Sequence, residues 1–148
     1  MTKGRRLVFL LAALVAVGGA AFGLADAAEA QSFALPADVG DLSNASTIEV
    51  KDSAATVVLL GRFVEQPEDD DDVERKAELQ GSGATASATG AAEVEVSRNG
   101  NELDQEVELS VTNLTPAATY AIVVDGKQLA SFQANKEGKA EIELSSTK

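Results

Sequence analysis

The sequence predicts an all-β fold, an antiparallel β-sandwich or small barrel built from a meander of hairpins and preceded by an N-terminal signal helix. Short runs of alternating apolar and polar residues recur from Ile48 to Leu144, and the turn dipeptides Asn99-Gly100 and Asp125-Gly126 sit between them. The chain also opens on a basic, then apolar, then small-residue stretch unlike anything after it.

That opening stretch predicts export. Lys3, Arg5 and Arg6 form a positive region, residues 7–22 an apolar one, and Ala28-Glu29-Ala30 supplies small residues at signal-peptidase spacing, so residues 1–30 read as a signal peptide cut after Ala30, with a second site after Ala27. Retention as an anchor is the competing expectation, because residues 7–25 carry no charge until Asp26 and are long enough to cross a bilayer. Gly18, Gly19 and Gly23 favour cleavage. Residues 31–54, with Pro36, Gly40 and the polar run 43–47, read as a loosely ordered N-terminal arm with one short strand at 48–50.

The β-rich domain is expected over residues 55–148. A strand is predicted at 56–64, then the acidic run Glu68-Asp69-Asp70-Asp71-Asp72, then a strand at 76–80. Residues 81–90, made only of Gly, Ser, Ala and Thr, read as a flexible connector. Five strands follow at 92–96, 107–111, 120–124, 128–132 and 140–144, expected to form an antiparallel meander.

Register follows from the turns. With Asn99-Gly100 as a two-residue turn, Arg98 faces Asn101, and Val94 and Val96 share a face with Leu103, Val107, Leu109 and Val111. With Asp125-Gly126 as the next turn, Ile122 faces Leu129. A four-residue loop at 135–138 then adds Ile142 and Leu144 to that face. The second hairpin is apolar on both sides, which predicts that its sheet is covered.

Composition excludes several functions. The 148 residues contain no His and no Cys, which removes His- or Cys-based triads, thiolate zinc sites and haem ligation. Without residues 1–30 the chain keeps 9 Lys+Arg against 22 Asp+Glu, a net charge of −13 that repels nucleic-acid phosphates and anionic lipid and favours cationic partners. Aromatics after residue 30 are limited to Tyr120, Phe33, Phe63 and Phe132, too few for a sugar-stacking cleft. No enzymatic activity is expected, and no catalytic, cofactor-binding or metal residue is assigned.

The carboxylates are the notable feature. In the register above Glu95 falls opposite Asp104 and Glu93 opposite Glu106, with Glu108 continuing the column; a shift of two residues pairs Glu95 with Glu106 and Glu93 with Glu108 instead. An acidic face survives either way. It reads as a solvated face opposing aggregation, or else as a site for a divalent cation or basic partner. The Asp69–Asp72 aspartates lack the spacing and glycine of a calcium loop and read as a charged surface loop.

Two family resemblances attach to particular residues. Leu114-Thr115-Pro116-Ala117-Ala118-Thr119-Tyr120 resembles the L-x-P-x-T-x-Y stretch of fibronectin type III sandwiches, which implies that the Tyr120 hydroxyl bonds back to the chain. The order Leu60-Gly61, Gly90-Ala91-Ala92, Asn113-Leu114 is similar to secreted chordin-type domains, which implies an exported β-rich domain. Histidines typical of those domains are absent here, so no functional residue is carried over.

The expected function is that of an exported non-enzymatic binding or structural module at the cell surface or outside the cell, in a periplasmic or extracellular setting. Its partner is an unknown protein or cationic group, and it is expected to be monomeric, with Lys136, Lys139, Glu141 and Glu143 protecting the edge of strand 140–144. A weak calcium-binding protein using Glu93, Glu95, Asp104 and Glu106 or the Asp69 run is the alternative. A membrane-anchored accessory domain follows if the N-terminal segment is retained.

Overall fold

The computed structural model describes residues 30–67 and 72–146; the predicted signal peptide except Ala30, and Glu68, Asp69, Asp70 and Asp71 of the acidic run, lie outside them. The described residues form ten strands: β1 (Ala30–Ala34), β2 (Thr47–Asp52), β3 (Val57–Arg62), β4 (Val64–Gln66), β5 (Val73–Gly81), β6 (Thr89–Asn99), β7 (Glu102–Thr112), β8 (Thr119–Val124), β9 (Lys127–Gln133) and β10 (Ala140–Ser145). The fold is all-β, as the alternation predicts.

All ten belong to one sheet, in the order β1-β10-β7-β6-β5-β3-β2-β8-β9, with β4 paired to β5. Residues 47–112 supply a true meander. The predicted meander of the last five strands does not form, because β8 docks on β2 at one end of that sheet while β10 returns to β7 at the other. Such crossings are short only because the sheet curls until it nearly closes. At the seam the Gln31 side-chain amide of β1 donates to the Gln133 carbonyl of β9 at 3.0 Å.

Inside lies an aliphatic core. Ile48, Val50, Leu59, Leu79, Val94, Val96, Val107, Leu109, Val111, Ile122 and Leu144 are fully buried. Each such side chain contributes roughly 1.5–3 kcal/mol of transfer free energy, which supplies the stability that disulfides give to many exported domains. Tyr120 and Phe132 stack at 5.8 Å between ring centres, and the Tyr120 hydroxyl accepts from the Thr115 N–H at 3.0 Å.

Where the expected arm was loose, the structure is densely bonded. Residues 31–54 hold most of β1, all of β2 and a 3₁₀ turn at Leu42–Asn44 that caps one end of the sheet. Leu35, Leu42 and Ala45 are buried there. Gln105, the one buried polar side chain among the described residues, accepts from the Leu42 N–H at 2.7 Å and donates to the Gly40 carbonyl at 2.8 Å. Asp125 accepts from the Ser46 and Thr47 N–H groups, and Arg75 Nε donates to the Ser43 carbonyl. Polar residues suggested disorder because their partners lie 30 to 80 positions away in the chain, beyond the reach of any local pattern.

Other expectations also shift. Strand 56–64 is interrupted at the buried Phe63, which separates β3 from β4. The supposed connector 81–90 is ordered: β5 runs through Gly81, a 3₁₀ turn occupies Gly83–Thr85, and β6 starts at Thr89. Thr85 Oγ1 donates to the Val58 carbonyl at 3.0 Å and holds that turn to β3. A bulge between Ile122 and Val123 moves Ile122 from Leu129 to Ala130. Finally, 140–144 is no edge, since β1 lies parallel along β10 with Phe33 beside Leu144.

Candidate functional site: a carboxylate face

The hairpin of β6 and β7 sets the geometry. Its central turn residues are Gly100 and Asn101, so Asn99 pairs with Glu102 and Arg98 with Leu103. Gly100 has φ 62° while Asn101 is not among the positive-φ residues, the pattern of a II′-type turn with glycine first. The register is therefore the one shifted by two residues. Even shifts leave each side chain on its own face, so the valines still point inward and the glutamates outward.

Four strands assemble the acidic face in parallel rows. One row runs Glu74, Glu95, Glu106, Ser145 across β5, β6, β7 and β10; the next runs Lys76, Glu93, Glu108, Glu143. Asp104 sits one row further, opposite Ser97 rather than Glu95. The hydroxyl of that serine donates to Asp72 at 2.8 Å, which brings the last residue of the acidic run to the border of the face. Glu74, Glu93 and Glu95 offer carboxylate oxygens within 4.8 Å of one another, and so do Glu106, Glu108 and Glu143.

Glu93, Glu95, Glu106 and Glu108 were legible as a column, whereas Glu74 and Glu143 were not. The run 76–80 stopped short of Glu74. Glu143 joins the face because β10 pairs with β7, a non-local choice that its own alternation does not encode.

Electrostatics follow from crowding. Partial burial, a hydrogen bond and like charge from Glu74, and the charge of Glu95 push the Glu93 carboxyl up to about 8, against the pull of Lys76. Burial and the neighbours Glu143, Glu108 and Glu95 push Glu106 up to about 7. Burial followed by the charges of Glu143, Glu95 and Glu141 does the same for Glu108, also to about 7. Lys76 lies 3.9 Å from Glu93 and 4.0 Å from Glu74. Among the described residues no ion pair engages Glu106, Glu108 or Glu143, so that side of the face keeps its like-charge crowding. Two acids elsewhere are shifted the other way by close partners: the carboxyl of Asp38 is lowered by Lys127 at 2.9 Å, and that of Asp41 by the Ser43 N–H and by Arg98.

No aromatic ring joins the face among the described residues, because Tyr120, Phe132 and Phe63 are buried and Phe33 packs against the core. No helix of the described residues is long and apolar enough to cross a membrane. Comparison with family models, curated proteins and solved structures finds no match to the chain.

Proposed function

We propose that the chain is an exported, non-enzymatic binding module whose recognition surface is the glutamate face of β5, β6, β7 and β10, with a cationic partner as its ligand. The observation that carries this reading is the alignment of six carboxylates in two adjacent rows, with Lys76 at the end of one of them. A lysine- or arginine-rich segment laid across the rows lowers the repulsion between them and restores the ionised state of the raised glutamates. Such attraction acts over about 10 Å at 0.1 M salt and weakens as salt rises. The export part of this reading rests on the signal-like pattern of residues 1–30.

The test is a calorimetric titration of the purified protein with an oligolysine peptide at low and at high salt. Saturable binding that Glu93→Gln together with Glu108→Gln weakens at least about tenfold, equivalent to about 1.4 kcal/mol, supports the reading. Binding that ignores both substitutions sinks it.

A second reading is favoured by the trio Glu106, Glu108 and Glu143, whose oxygens cluster within 4.8 Å. Calcium takes six to eight oxygens, so three carboxylates on an open sheet face need water to complete the shell and bind at about 10⁻⁴ to 10⁻³ M. Calcium at about ten times its dissociation constant adds about 1.4 kcal/mol of stability, which a thermal melt against chelator and against magnesium at matched ionic strength detects. Identical melts in all three buffers reject the metal and leave the peptide experiment to judge the face.

A further inference from the structure

The two turn dipeptides that mark hairpins in the sequence have different chemical fates in the structure. Asp125 of Asp125-Gly126 is held: its carboxylate accepts from the Ser46 N–H at 3.1 Å and from the Thr47 N–H at 2.9 Å. Asn99 of Asn99-Gly100 is exposed, and among the described residues no hydrogen bond engages its side chain or the Gly100 N–H. Nothing lies within 4 Å of the position that a Gly100 Cβ would occupy. The glycine nitrogen is therefore open to attack on the neighbouring side chain, at a hairpin tip where local opening is easy.

We propose that Asn99 is a site of spontaneous deamidation, which converts the β6–β7 turn into a mixture of aspartate and isoaspartate. Base removes the Gly100 amide proton, and that nitrogen attacks Cγ of Asn99. The new N–Cγ bond forms as the Cγ–Nδ2 bond breaks, and Nδ2 leaves as ammonia with a proton from water. Water then opens the succinimide at either carbonyl: attack at Cγ gives aspartate, and attack at the main-chain carbon routes the backbone through Cβ as isoaspartate. No oxidation or reduction occurs.

The other four asparagines lack this arrangement. Asn135 Oδ1 accepts from the Glu137 and Lys139 N–H groups at 2.8 and 2.9 Å, and a lysine follows it. Asn113 donates to the Ser87 carbonyl and precedes the buried Leu114. Asn44 lies in a 3₁₀ turn before the buried Ala45, and Asn101 precedes Glu102. The product adds a carboxylate next to Arg98, whose guanidinium lies 2.6 Å from Asp41. Isoaspartate also lengthens a two-residue turn by a methylene, which is incompatible with the Asn99–Glu102 pair that closes it.

The experiment ages the purified full chain at mildly alkaline pH, folded and in guanidinium, and follows ammonia release, isoaspartate by enzymatic methylation, and the modified position by peptide mapping. Asn99 is expected to convert in the folded protein within about tenfold of its rate in the unfolded chain, with the rate rising with pH and the other four asparagines protected. Asn99→Gln, which keeps the turn glycine, is expected to abolish the isoaspartate signal. An Asn99 that stays intact, or that converts no faster than Asn44, Asn101, Asn113 and Asn135, overturns the proposal. Equal conversion at Asp125-Gly126 overturns it too, because the structural distinction between the two turns would then count for nothing.

Discussion

Glu108 stands directly between two other glutamates, Glu93 on one neighbouring strand and Glu143 on the other. Like charges opposite one another across a ladder are destabilising, by a few tenths of a kcal/mol to about 1 kcal/mol. Burial adds to the effect, so Glu93, Glu106 and Glu108 hold their protons to about 8, 7 and 7 when folded, against an ordinary value of 4.5. A carboxyl raised in this way binds more protons folded than unfolded. Its contribution to stability is present in full below about 4.5 and is lost as pH rises through 7 to 8. Glu108→Gln is therefore expected to raise stability at pH 8 by about 0.5 kcal/mol, a melting shift of ~2–3 °C, and to give no gain at pH 4.5. Paired melts of the two proteins at both pH values check this; a gain of equal size at each would place the effect in packing instead of charge.

At the scale of elements, the turns and the short connectors decide how much the sequence revealed. Alternation made β6, β7, β8, β9 and β10 legible, and with them the inward valines, because period-two parity survives any even shift of register. The shift itself was hidden, since glycine suits either central position of a primed turn and Asn99-Gly100 does not say which is used. Pairings of β10 with β7 and of β1 with β10 were hidden as well. They are made by backbone groups that every residue carries. The segment 81–90 looked flexible for its small residues, yet those residues are what a tight turn requires: a Cβ on Gly81 would fall 1.8 Å from the Thr85 carbonyl oxygen and 2.9 Å from that of Ala88. Gly81→Ala must move backbone, at a cost of about 3 kcal/mol. Denaturant unfolding of that variant is expected to show the loss in midpoint, and an unchanged midpoint would mean the turn is as loose as its composition suggests.

For the molecule as a whole, charge and closure act against each other. A net charge of −12 at pH 7 repels itself in a nearly closed sheet, and the two glutamate rows concentrate that repulsion on one side. Screening by salt relieves exposed charges separated by more than about 10 Å at 0.1 M. Melting temperature at pH 8 is accordingly expected to climb with sodium chloride and to climb less at pH 5, where the raised glutamates are already protonated; a salt response independent of pH would argue that the rows carry no special share of the repulsion.

The parallel contact of β1 with β10 has a kinetic meaning. Ala30 pairs with Glu141, so an early segment of the chain waits for one that is made more than a hundred residues later. Closing so long a loop is entropically unfavourable and comes late in folding, and synthesis from the N-terminus delivers β10 after every other described strand. During synthesis the meander of β2 to β7 can collapse by local steps, but the seam stays open and Phe33 finds no Leu144 to rest on until β10 has been made. The fold thus keeps an unfinished edge from the making of β7 until β10 arrives, which is the interval in which it is most exposed to pairing with the wrong chain.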